Sequence, residues 1–125
     1  MELPGMNLAP SGAAKEALDA IPALPADLRA FLAGHDGGKG NVGKRPVILW
    51  NAEQIAEEAE SQEVSLATPG LLLFGTDGGA LGYGYLGRLR AQRYGRIPLI
   101  AAGAHEFEAL ADSFEGLLQV IAEGR

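Results

Sequence analysis

The sequence predicts an α+β fold in which helices pack around a small, twisted and largely antiparallel sheet. The first observation is that apolar residues recur at helical spacing in several separate segments. The second is a strand–turn–strand pattern at residues 71–86, where apolar runs flank the polar turn Thr76-Asp77-Gly78-Gly79. Because a hairpin pairs its strands antiparallel, at least part of the sheet is expected to be antiparallel.

The N-terminal third predicts two helices. Residues 1–10 contain two prolines and a glycine without periodicity, so we expect a flexible segment, followed by a single domain over residues 11–125. Ser11 is suited to cap a first helix at about residues 12–21. Pro25 suits the first turn of a second helix. Its apolar stripe is Leu24, Leu28, Phe31 and Leu32.

Residues 35–45 contain four glycines and predict a loop, and residues 46–50 predict a strand ending at Trp50. Asn51 and Gln54 have capping-box spacing for a helix that extends to about residue 60. Its buried face would hold alanines and Ile55, leaving an acidic surface. The acidic residues are Glu53, Glu57, Glu58 and Glu60.

The C-terminal part predicts another strand at residues 97–101, an ambiguous segment at 105–110, and a final helix. Asp112 and Glu115 again have capping-box spacing. The apolar residues of this helix are Phe114, Leu117, Leu118 and Ile121.

Composition restricts the function. The chain has 125 residues, a net charge of −6, no cysteine and two histidines. It lacks a membrane-spanning apolar run and a signal-peptide pattern, so we expect a cytoplasmic protein without disulfides, membrane association or a bound cofactor. The negative charge argues against nucleic acid as a partner and would favour a basic protein, while solubility alone also accounts for it.

Two glycine motifs resemble phosphate-binding loops in sequence but not in predicted structural context. Residues 38–45 (GKGNVGKR) lack the hydroxyl residue after the lysine, and a strand rather than a helix is predicted to follow them. Residues 82–87 (GYGYLG) match GxGxxG but lie inside a predicted strand. We therefore expect neither to bind nucleotides, and we attribute Gly82 and Gly84 to the close approach of a neighbouring element.

No residue pattern predicts catalysis. Asp77 lies beside two glycines, and such a residue is usually present for turn geometry. Trp50, the only tryptophan, is expected to pack in the core, with a partner anchor as the alternative. The cluster of Arg88, Arg90, Arg93 and Arg96 leaves two possibilities open: contact with phosphates, or pairing with carboxylates of this chain or of a partner.

Taken together, four segments resemble the SUKH superfamily, small bacterial immunity-type domains related to a fungal regulator of cell-wall assembly. They are LPADLRAFL at 24–32 with DGG at 36–38, VILW at 47–50 with EQI at 53–55, LFGTDGG at 73–79, and DSFEGLL at 112–118. The chain departs from the family pattern at three places. Thr76 stands where serine is commoner, residues 80–86 lack the acidic residue often seen there, and Gly116 replaces a usual acidic residue. The family motif residues carried over are Trp50, Gly75, Asp77, Gly78, Gly79 and Phe114.

The resemblance implies a non-enzymatic domain that binds and neutralises a toxin of the polymorphic or contact-dependent kind, of the nuclease or deaminase class. We expect the partner to contact the acidic helix (Glu53, Glu57, Glu58, Glu60) and the turn at Asp77. The alternative is a regulatory or scaffold domain that binds an endogenous protein, as the fungal relatives do.

Overall fold

A computed structural model describes residues 3–60, 70–99 and 106–124. Within these residues the α+β prediction is confirmed: seven strands form one open antiparallel sheet, accompanied by four helices. Each strand from β2 onward pairs with the strand before it in the chain. The elements are β1 (Met6–Leu8), α1 (Lys15–Asp19), α2 (Ala26–Gly34), β2 (Gly38–Val42), β3 (Arg45–Leu49), α3 (Ala52–Glu60), β4 (Leu71–Thr76), β5 (Leu81–Leu86), β6 (Tyr94–Pro98), β7 (Glu108–Ala111) and α4 (Phe114–Ala122).

The main core lies between one face of the sheet and the helices. Strand alternation directs Phe74 of β4 and Tyr94 of β6 to this face, where both rings pack against Phe114 of α4. Leu73 and Ile97 belong to a second, smaller buried cluster. The aromatic contacts therefore join α4 to the centre of the sheet.

The N-terminal segment differs from the prediction. Residues 1–10 were expected to be flexible, but Met6–Leu8 form the edge strand β1, in which Asn7 pairs with Lys39 of β2. Gly40 of β2 makes this pairing possible, because a Cβ there would overlap the backbone of Gly5. Met6-Asn7-Leu8 alternates apolar and polar residues, but three residues are too few for this alternation to indicate a strand.

The loop prediction for residues 35–45 was also wrong. Residues 38–42 form β2, which pairs with β3 through a tight turn at Gly43-Lys44, where Gly43 has φ +64°. The phosphate-loop lookalike is therefore a β-hairpin. Its glycines led to the prediction of a loop, since glycine is depleted from typical strand sequences.

Helix α1 is shorter than predicted and begins after Ala14, with no side-chain cap, so the predicted role of Ser11 is wrong. Helix α2 follows Pro25, and Leu28 and Leu32 are buried as the stripe predicted. Strand β6 starts earlier than the predicted strand at 97–101, whose last two residues lie outside the described part. None of the described helices is long and apolar enough to cross a membrane.

The hairpin β4–β5 is confirmed around the turn at residues 77–80. Gly82 and Gly84 serve close packing, as predicted. A Cβ on Gly82 would lie 2.5 Å from Cδ2 of Leu99, and one on Gly84 would lie 2.8 Å from Cδ1 of Leu71. The close neighbours are leucine side chains, and the glycines have no strand-to-helix turn that could hold a dinucleotide.

Candidate functional site

Helix α3 begins with two side-chain caps. Asn51 Oδ1 accepts a hydrogen bond from the Gln54 backbone N–H at 2.8 Å, as its spacing predicted. Asp36 Oδ1 accepts another from the Ala52 N–H, also at 2.8 Å. Asp36 lies in the segment predicted as a loop, and nothing local in the sequence indicates a contact across sixteen positions. These bonds fix the orientation of the helix.

The exposed surface of α3 is acidic. Ala52 and Ile55 are fully buried, while the four predicted glutamates are exposed and form no ion pair with described residues. Glu53 and Glu57 repel each other at i,i+4, and the last turn contains no basic residue to balance the helix dipole. A cationic partner would relieve both unfavourable interactions.

A shallow groove of about 390 Å³ lies beside the start of α3. Ile48, Trp50 and Gln54 are among its lining residues. Lys39 of β2 also lines it. Ile48 is 38% exposed and is the one large hydrophobic side chain that is exposed among described residues. Trp50 is half-buried and packs against both apolar clusters, so it is a core residue that also faces the groove.

The turn at Asp77 lies beside Ile48, which is one of the residues that line the groove. Ile48 pairs with Thr76, and a Cβ on Gly78 would lie 3.9 Å from Ile48 Cδ1. Ile48 therefore lies next to this turn and also lines the groove at the beginning of α3. Sequence analysis selected both segments but had no means of joining them.

Asp77 itself has the turn role that was predicted. Its Oδ1 accepts hydrogen bonds from the backbone N–H groups of Gly79 (2.8 Å) and Leu81 (3.2 Å). The Thr76 hydroxyl donates to the Leu81 carbonyl at 2.7 Å and so helps to close the turn. Gly78 has φ +82°, a conformation that favours glycine.

The remaining motif residues are structural. Gly75 follows a β-bulge, and a Cβ there would lie 2.6 Å from the Ile48 carbonyl oxygen. Gly79 donates its N–H to Asp77. Phe114 is 1% exposed, and its ring centroid lies 5.6 Å from that of Phe74.

Asp27 connects three elements and was missed by sequence analysis. It accepts a short hydrogen bond from the Tyr94 hydroxyl and a 2.8 Å bond from the Phe114 N–H at the start of α4. Burial, and then the bond to Asp27, raise the pKa of Tyr94 well above its ordinary value. Both partners serve the packing of α2, β6 and α4.

Histidine does not form a catalytic arrangement in the described residues. His35 Nδ1–H donates to the Ala9 carbonyl at 2.8 Å, which ties the N-terminal segment to the end of α2. His105 lies outside the described residues. In the described ranges, no group of three His, Cys, Asp or Glu residues is positioned to hold a metal ion.

The predicted arginine cluster is divided by the fold. Arg96 lies on β6, where its Nε donates to Glu108 Oε1 at 2.8 Å. Arg88, Arg90 and Arg93 are exposed in the β5–β6 connection. Pairing with the acidic helix, one of the possibilities considered, is not observed among the described residues.

In comparisons with known proteins, the sequence matches no family model and no curated protein.

Proposed function

We propose that this protein binds and neutralises a basic toxin domain of the nuclease or deaminase class, as the resemblance to the SUKH superfamily implies. The observation that supports this most is the juxtaposition of an apolar groove at Ile48 and Trp50 with the unpaired acidic surface of α3. The proposed mechanism is occlusion of the toxin's active surface without a chemical step.

The groove and the helix have complementary roles in this proposal. Protein interfaces combine apolar anchors in a desolvated centre with a polar rim, and tryptophan is enriched among their energetic anchors. Ile48 and Trp50 supply the centre, and the glutamates of α3 supply a rim. Rim charges act mainly on association rate and on selection of a partner of opposite charge.

The charge of α3 suits an enzyme that acts on nucleic acid. Such an enzyme needs a basic surface for phosphates, and that surface also attracts carboxylates. Glu53, Glu57 and Glu60 lie on one side of α3, and Glu58 lies one turn beyond Gln54 on the groove side. An acidic helix there would cover the phosphate-binding surface of the toxin.

The experiment measures binding to the toxin domain encoded next to this gene, together with rescue of growth during toxin expression. E53Q/E57Q/E58Q should slow association about tenfold and weaken its salt dependence. The control E16Q/E115Q/E123Q removes the same charge at other exposed sites and should bind almost normally. Equal losses in both variants would contradict the assignment of the surface.

Ile48→Asp tests the apolar centre, because this exposed position tolerates a polar residue without loss of core packing. We expect the variant to remain folded and to lose rescue. Absence of binding and rescue with the wild-type chain across neighbouring toxins would refute neutralisation. A housekeeping operon in place of a toxin gene would favour the regulatory or scaffold alternative, for which the same surface is available.

A further inference from the structure

The connection between β5 and β6, residues 87–93, carries three exposed arginines: Arg88, Arg90 and Arg93. We call this segment the arginine loop. None of the three forms an ion pair with any residue of the described ranges. Arg93 donates its Nε–H to the Leu89 carbonyl at 2.5 Å, which leaves its terminal nitrogens available.

The arginine loop is held in one conformation by hydrogen bonds. The Leu86 N–H donates to the Arg93 carbonyl at 2.8 Å and thereby closes the base of the loop. The Gln92 N–H donates to Asp112 Oδ1, also at 2.8 Å, and ties the loop to the segment before α4. Leu89 is half-buried beneath it. A fixed backbone lowers the entropy cost of binding through these side chains.

The charge of the loop contrasts with the rest of the chain. Without its three arginines, the chain has seven basic residues against sixteen acidic ones. Arginine presents a planar fork that binds carboxylates or phosphates bidentately. The surrounding acidity disfavours a long nucleic acid strand, whose phosphates would extend beyond the loop, whereas a short acidic peptide needs only the loop itself.

We propose that the arginine loop is a second docking surface, which binds a short acidic segment of a protein partner. The loop follows the end of β5, whereas the turn at Asp77 precedes its start, so the six residues of β5 separate the loop from that turn by about 20 Å. The loop shares no residue with the groove or with α3. Beside the loop, the half-buried ring of Tyr85 offers an apolar contact for the same segment.

The test uses a fluorescent peptide of alternating glutamate and serine, with a glutamine-for-glutamate peptide and single-stranded oligothymidine as comparisons. Anisotropy at low ionic strength should show binding of the glutamate peptide in preference to both. R88Q/R90Q/R93Q should weaken it about tenfold. The control K15Q/K39Q/K44Q removes the same charge elsewhere and should change affinity less than about twofold.

E53Q/E57Q/E58Q should bind the glutamate peptide as well as the wild-type chain does, so failure of this site is separable from failure of the toxin-binding proposal. If the arginine variant does not fold, amide shift mapping on the wild-type chain decides the point, with the expected shifts at residues 87–93. The proposal would be overturned if the arginine variant and the lysine control bound the glutamate peptide equally well. Amide shifts outside residues 87–93, or tighter binding of the oligonucleotide than of the peptide, would also overturn it.

Discussion

Two buried tyrosines on adjacent strands differ in the contacts of their hydroxyl groups. Tyr94 donates to Asp27, whereas the Tyr83 hydroxyl has no hydrogen-bond partner among the described residues. Both rings are almost fully buried, at 1% and 0% exposure. A buried hydrogen bond stabilises modestly, and a buried polar group without one is costly. Substitution by phenylalanine should therefore lower the free energy of unfolding at Tyr94 but not at Tyr83.

Tyr94→Phe should lower the free energy of unfolding by about 1 kcal/mol, because it removes the bond to Asp27 and keeps the ring. Urea unfolding at neutral pH measures this. Asp27 retains the Phe114 N–H as a partner, which limits the loss. An unchanged midpoint would mean that the hydroxyl contributes nothing to stability.

Tyr83→Phe should leave the free energy of unfolding unchanged or raise it by up to about 1 kcal/mol, since it removes a desolvated hydroxyl without breaking a bond. Urea unfolding under the same conditions measures this, and Tyr94→Phe is the matched comparison. A loss as large as that of Tyr94→Phe would show that the Tyr83 hydroxyl has a partner after all.

At the scale of the elements, α4 depends on caps from two parts of the chain. Ser113 accepts from the Gly116 N–H at 2.9 Å, and Asp27 accepts from the Phe114 N–H. Together they satisfy two of the N–H groups that every helix leaves unpaired at its start. The aromatic contacts of Phe114 then hold the capped helix against the sheet.

Ser113→Ala should cost about 1 kcal/mol of unfolding free energy, the usual effect of losing an N-cap. Ser113→Asp should restore most of it, since its carboxylate can accept the same bond. Thermal unfolding of the three proteins provides the measurement. Ser11→Ala is the control, because Ser11 makes no side-chain cap for α1 and its loss should have little effect.

The elements predicted from sequence are those that local chemistry specifies. Asn51 and the apolar face of α3 specify one helix, and Asp77 with its glycines specifies the central turn. Strands β1 and β2 were not predicted because their pairing depends on the close approach of the neighbouring strand at glycine positions. The alternation in β1 extends over only three residues, and β2 has glycines where a typical strand has apolar side chains.

At the scale of the whole molecule, the candidate site was predictable only in parts. The glutamates of α3 were identified from helical spacing, and their exposure follows from it. The groove could not be predicted, since it is formed by segments distant in sequence, among them residues 7–10, 36–39 and 48–51. Asp27 likewise contacts Phe114 across 87 positions, a separation that no local pattern records.

Charge and burial together set an alkaline limit for the whole fold. Burial raises the pKa of Tyr83, and burial together with the Asp27 bond raises that of Tyr94. In the unfolded chain a tyrosine ionises near pH 10. Above that pH the unfolded state releases protons that the folded state retains, so the stability contribution present at neutral pH is lost as pH rises.

Unfolding free energy should therefore decline above about pH 10, by up to about 1.4 kcal/mol per pH unit for each retained tyrosine proton. Urea titrations from neutral pH to about pH 11 measure the slope. The double variant Y83F/Y94F cannot ionise at either site, so its stability should decline less steeply even though Tyr94→Phe lowers its value at neutral pH. Parallel slopes for the variant and the wild-type chain would show that neither hydroxyl is protected in the folded protein.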